Sequence, residues 1–168
     1  MVTKRRRVFE QGHKRKFLVV VDETPEVDSA LFFAANRARR TSGKVMLLYV
    51  IEPQDFQHWI GVRDIQRQEE AAKAAAIFRL VRRKLVNAGF EDITVDEVIR
   101  EGEKSEQIMA LIEEDEDIGV LVLGASTDPR GPGPLVASLA AGRHAGTFPI
   151  PITIVPGNLK PDDIGTLA

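Results

Sequence analysis

Three uninterrupted apolar runs, at residues 17–21, 45–51 and 118–123, organise the chain. None alternates with polar positions, and a strand that is apolar throughout is one covered on both faces, as in a parallel sheet between two layers of helices. Between the first two runs, Val27, Leu31, Ala34, Ala35 and Ala38 recur at helical spacing, and Thr41, Ser42 and Gly43 close that helix. A longer helix is predicted over residues 64–87, with Ala74, Ile77, Phe78, Val81 and Leu85 on one face and Gly89 as its stop. Residues 93–99 alternate apolar and polar positions, the mark of a half-exposed edge strand. A short helix carrying Ile108, Leu111 and Ile112 opens at residues 102–105 and ends in the acidic run 113–117. After the third apolar run a Gly- and Pro-rich loop, 125–134, leads to a helix expected to reach about His144, and residues 150–155 supply the last strand.

The succession is β-α-β-α-β-α-β-α-β. Strands joined by helical crossovers run parallel, so the predicted fold is a three-layer α/β/α sandwich around a five-stranded sheet. One domain covers residues 17–156, preceded by a mobile arm (1–16) and followed by a polar tail (157–168). Ligands of such sheets gather at the carboxyl ends of the strands near the point where strand order reverses, which directs attention to Asp22, residues 50–53 and residues 124–134.

Composition narrows the class. The 168 residues include 23 Lys and Arg, 25 Asp and Glu and no cysteine. Disulfide scaffolds, thiol nucleophiles and thiolate metal sites are thereby excluded, and a reducing compartment suits the chain. The near-neutral total conceals an asymmetry: residues 1–16 carry seven basic side chains and one acid, whereas the remainder carries 16 basic and 24 acidic ones. An acidic body argues against an extended nucleic-acid-binding face, leaving only the arm for that purpose. The longest apolar run has seven residues, far below the ~18 a spanning helix needs, and the five apolar residues after the basic start are too few for a signal peptide. The expectation is a cytoplasmic protein with no membrane partner.

Several residues are candidates for chemistry. Asp22 directly follows a buried strand, where its carboxylate accepts hydrogen bonds either from ribose hydroxyls or from its own turn, since Thr24 and Pro25 follow. The loop from Gly124 to Pro134 is either a phosphate cradle or an irregular connection; it lacks G-x-x-x-x-G-K-[ST] and the third glycine of G-x-G-x-x-G. Gly124-Ala-Ser126-Thr-Asp128 departs from a nucleophile elbow at its second glycine, and His13, His58 and His144 show no ligand spacing. With no general base or metal ligand evident, binding is expected rather than catalysis. Phe56 and Trp59, in the loop after the second strand, are either a plug on the domain's own core or a contact for a protein partner. The basic arm either binds nucleic acid, pairs with the acidic body or stays solvated.

Five segments in order resemble the universal stress protein family. They are the strand ending in Asp22, Val45-Met-Leu-Leu-Tyr-Val50, Gly102-Glu-Lys-Ser-Glu-Gln-Ile108, Ile118-Gly-Val-Leu-Val-Leu-Gly-Ala125 and Pro149-Ile-Pro-Ile-Thr-Ile-Val155. The resemblance spans about residues 16–156 and implies a sheet ordered 3-2-1-4-5 (Rossmann-like), homodimers paired through the last strand (Ile150 to Val155 here) and, in one branch, bound ATP or AMP. The binding set it implies is Val21, Asp22, Val50, Gly124, Ala125, Thr127, Arg130, Gly133, Pro134 and Leu135, with Asp22 on the nucleoside and Val50 beside adenine. The ATP-binding branch carries a G-x2-G-x9-G-[ST] phosphate loop. Here Gly124 stands at its first glycine, Thr127 at its second, the spacer is shortened to five residues and the loop closes on Gly133-Pro134. Pro134 removes a hydroxyl and an N–H; at roughly 1.5–3 kcal/mol per charge-assisted bond, phosphate binding is expected to fall about a hundredfold or more unless Arg130 compensates.

Overall fold

The computed structural model describes residues 4–53 and 60–168. The sheet contains β1 (Lys16–Val20), β2 (Lys44–Ile51), β3 (Thr94–Glu101), β4 (Ile118–Ala125) and β5 (Ile152–Pro156). All pairings are parallel and the order is β3-β2-β1-β4-β5, as expected. The two-residue period of a strand explains how the continuous apolar runs are used. On one face Phe17, Val19, Val45, Leu47, Tyr49, Val120 and Val122 pack under α1 (Val27–Arg40) and α2 (Ile60–Asn87). On the other, Leu18, Val20, Met46, Leu48, Val50, Leu121 and Leu123 pack under α3 (Lys104–Glu114) and residues 136–140. The predicted stripes are the faces buried: Val27, Leu31, Ala34, Ala35 and Ala38 of α1, and Ala74, Phe78, Val81 and Leu85 of α2. β3, at the sheet edge, alternates exposed and half-buried positions over most of its length.

Three segments differ from expectation. The helix predicted to reach His144 is instead one wide π-helical turn, Val136–Ala140, followed by a short 3-10 turn, Ala145–Thr147. Ala141 N–H reaches back five residues to Val136 O, and a Cβ on Gly142 would lie 2.4 Å from Ser138 O, so the chain closes tightly where a regular helix would continue. The expected polar tail contains α4 (Pro161–Leu167), which starts with proline in its first turn and buries Ile164 to 1% exposure against the face of α1. Arg40 fastens it, its guanidinium donating to Gly165 O (2.8 Å) and Ala168 O (2.6 Å). One buried isoleucine within a seven-residue helix creates no readable period, which is why the sequence pattern missed this helix.

Residues 1–16, expected as a mobile arm, are described from residue 4 onward and lie against the acidic run. Arg6 donates to Ile112 O (2.7 Å) and Asp115 O (3.1 Å), carbonyls that the end of α3 leaves without intrahelical partners. Arg7 pairs with Glu116 (3.2 Å), His13 Nδ1 lies 2.6 Å from Asp117, and Lys16 pairs with Asp115 (2.6 Å). Of the readings open for the arm, pairing with the acidic body is the one this geometry describes. The loop residues Phe56, His58 and Trp59 lie outside the described residues.

Truncating Ile164 to alanine removes the apolar anchor of α4. The expected cost is about 2–5 kcal/mol of unfolding free energy, read from urea denaturation, with the sheet's far-ultraviolet signature retained.

Candidate functional site

The first crossovers leave β1 toward β2 and β3, and the later ones return to β4 and β5. Strand order therefore reverses between β1 and β4, and a crevice of about 180 Å³ opens at their carboxyl ends. Val20, Leu123 and Val136 form its apolar wall, and Asp22, Thr24, Glu26 and Lys104 its polar one; Gly124, Gly133, Pro134 and Leu135 complete the rim.

Asp22 Oδ1 accepts from both the N–H (2.8 Å) and the hydroxyl of Thr24, so one carboxylate oxygen closes its own turn. Among the described residues Oδ2 accepts no hydrogen bond, which leaves it available to a ligand in the crevice. Gly124 serves packing first: a Cβ there would lie 2.1 Å from Glu26 O, the carbonyl just ahead of α1. Gly157, after β5, is held to the same place, its N–H donating to Ala125 O at 2.8 Å and its Cβ position 3.0 Å from Glu26 Cβ. Gly133 has φ 100°, the left-handed region that glycine adopts at little cost, and lets the loop turn into residue 134. Pro134 offers no N–H, and the first hydrogen bond of the following turn runs from Ala137 N–H to Gly133 O (3.1 Å).

Arg130 does not face the crevice. Its backbone N–H (2.9 Å), Nε (3.0 Å) and terminal nitrogen (2.7 Å) all donate to the Asp128 carboxylate. The guanidinium holds that carboxyl below the usual aspartate range, and the two close a small loop of their own beside Ser126. Other members of the implied set stand elsewhere as well. Val21 is buried on the α1 face and donates its N–H to Leu48 O (2.8 Å). Val50 is buried in the opposite core layer, Ala125 is bound to Gly157, and Thr127 is exposed. The structure thus brings Asp22, Gly124, Gly133, Pro134 and Leu135 to one crevice, and leaves Val21, Val50, Ala125, Thr127 and Arg130 off its lining.

Two charged lining residues were not foreseen from the sequence. Lys104 opens α3 and lies 3.8 Å from Glu52, reaching the crevice because β3 and β2 end side by side. Glu26 stands immediately before the first buried residue of α1, a position that marks a helix start but not a crevice. Among the described residues no three His, Asp or Glu side chains gather closely enough to hold a metal ion, and no helix is long and apolar enough to cross a membrane.

A sequence model of the universal stress protein family matches residues 14–156. The chain belongs to that family. Its fold is similar to that of the universal stress protein UspA from Lactobacillus plantarum (20% identity, TM-score 0.67, covering 84% of this chain and 97% of that one). A universal stress protein from Archaeoglobus fulgidus is likewise similar (17% identity, TM-score 0.60, 88% and 98% covered). So is a universal stress protein solved in complex with cAMP (16% identity, TM-score 0.58, 86% and 98% covered). No curated protein matches the chain. In this universal stress protein the docked residues 4–13 and α4 lie outside the matched span.

Gly124→Ala places a methyl group on the Glu26 carbonyl, and backbone cannot give way as a flexible side chain does. A loss of about 1–3 kcal/mol or more is expected, measurable as a lower urea midpoint, whereas Gly131→Ala, with no heavy atom within 4 Å of the added Cβ, should be limited to its backbone strain.

Proposed function

We propose that this universal stress protein is a homodimer that holds an adenine nucleotide, ATP or AMP, in the β1/β4 crevice and acts in the stress response by regulated binding rather than turnover. The observation that carries the reading is the pairing of a free carboxylate oxygen on Asp22 with an apolar wall of Val20, Leu123 and Val136 at the strand-order reversal. A ribose or amino group donates to the first while a base packs on the second. The complex of a similarly folded universal stress protein with cAMP supports an adenine ligand. The regulatory role is supported by the lining: its ionisable side chains are Asp22, Glu26 and Lys104, and Ser126 faces the neighbouring depression. A cysteine-free sequence suits the cytoplasm.

The fit is better for a nucleoside than for a triphosphate. The crevice is small, Pro134 donates nothing and Arg130 is bound to Asp128. Those features favour a second reading, a protein-interaction module without nucleotide. Denaturing freshly purified protein and identifying released small molecules separates the two, together with thermal melts in adenosine, AMP and ATP. A ligand at 100 times its dissociation constant adds about 2.7 kcal/mol; no release and no shift at millimolar ligand leaves the second reading. Asp22→Ala should weaken binding at least about tenfold, and unchanged affinity would remove Asp22 from the site.

Dimerisation through the last strand is supported by β5, whose outer edge pairs with no strand among the described residues and whose Ile154 is 43% exposed. Such an edge is a template for pairing. Ile154→Asp should convert dimer to monomer in sedimentation velocity at micromolar protein; a variant that still sediments as dimer would move the interface elsewhere.

A further inference from the structure

We infer that Glu26 sets the charge this crevice accepts, selecting an adenine nucleoside with at most one phosphate on its 5′ end and rejecting polyphosphate. The inference rests on the adenine-binding reading above and concerns the class of ligand at that same site.

Glu26 lines both the crevice and the adjoining depression that holds Ser126, Asp128 and Arg130. A phosphate chain leaving the crevice past Gly133 would run between the two. The Glu26 carboxylate lies there, its Oε1 3.9 Å from the position a Cβ on Gly133 would take. It accepts no hydrogen bond and joins no ion pair among the described residues, so nothing neutralises it. Nor can it withdraw with its backbone: Glu26 O is packed on Gly124, and Glu26 Cβ on Gly157.

The groups that would oppose it are committed. Lys104, the one cation of the crevice lining among the described residues, lies 3.8 Å from Glu52. Arg130 gives three donors to Asp128. Pro134 has no N–H to offer at the turn that a phosphate would approach. A polyphosphate would therefore meet an unpaired carboxylate in a partly enclosed space where like charges are weakly screened. The nucleoside end meets no such opposition, since a free oxygen of Asp22 accepts from hydroxyl or amino donors.

Calorimetric titration of the full-length protein with adenosine, AMP and ATP, without magnesium and at low salt, tests this, alongside Glu26→Gln and Glu26→Ala. In the unaltered protein ATP is expected to bind at least about tenfold more weakly than adenosine. Both variants should close most of that gap, raising the ATP-to-adenosine affinity ratio at least about fivefold, with circular dichroism and a thermal melt of each variant showing that it is folded. ATP binding as tightly as adenosine, or an ATP-to-adenosine ratio unmoved by either variant, would overturn the inference and leave the adenine-binding reading standing. If neither adenosine nor AMP binds, that reading fails and the inference with it.

Discussion

The carbonyl of Glu26 occupies the space a side chain on Gly124 would need, and this close approach holds the front of α1 against the end of β4. Much else depends on it. β1 is the middle strand, covered by helices on both faces, and the entry of α1 is held at the end of its neighbour β4. By anchoring at β4 it closes one side of the reversal point and leaves the crevice on the other. The same contact carries the Glu26 side chain to the Gly133 end of the crevice, and Asp22, four residues earlier, sits in a turn closed by Thr24. A single glycine thus links core packing to the chemistry of the site.

Outside the family match the chain is fastened by one recurring device. The last carbonyls of a helix have no intrahelical donors, and a guanidinium supplies several in a fixed geometry. Arg6 does this for the end of α3 and Arg40 for the end of α4. The charge asymmetry of the sequence follows from the first of these arrangements: a basic segment of net +6 lies along an acidic run at the opposite end of the strands from the crevice. Individual exposed ion pairs contribute little, but here they accompany carbonyl capping and the packing of Val8 and Arg15 over Gly119.

What was legible follows from how strongly burial constrains a residue. The runs at 17–21, 45–51 and 118–123 are apolar at every position because both faces of a central strand are covered, and the stripe of α1 is apolar because it meets the sheet. Asp22 and the glycines of the loop were legible by position, at the ends of two such runs. The turn at residues 136–140, α4 and the docking of the arm were not. Each depends on a few contacts, with Gly142, Ile164 or Arg6, that generate no period. Nor did alignment to a phosphate loop foresee that Arg130 would close on Asp128 two residues away, a local pairing available without any ligand.

The sequence by itself determined the class of fold, the parallel sheet and the strand ends at which a ligand would sit, since these follow from periodicity and from where apolar runs stop. Only the tertiary structure decided what lines the crevice. Glu26 and Lys104 come from a helix entry and a helix start 78 positions apart in the chain, and no local pattern marks either as lining the crevice. That both line one crevice is set by strand order, and the charge presented to a ligand is a property of that shared lining rather than of any segment.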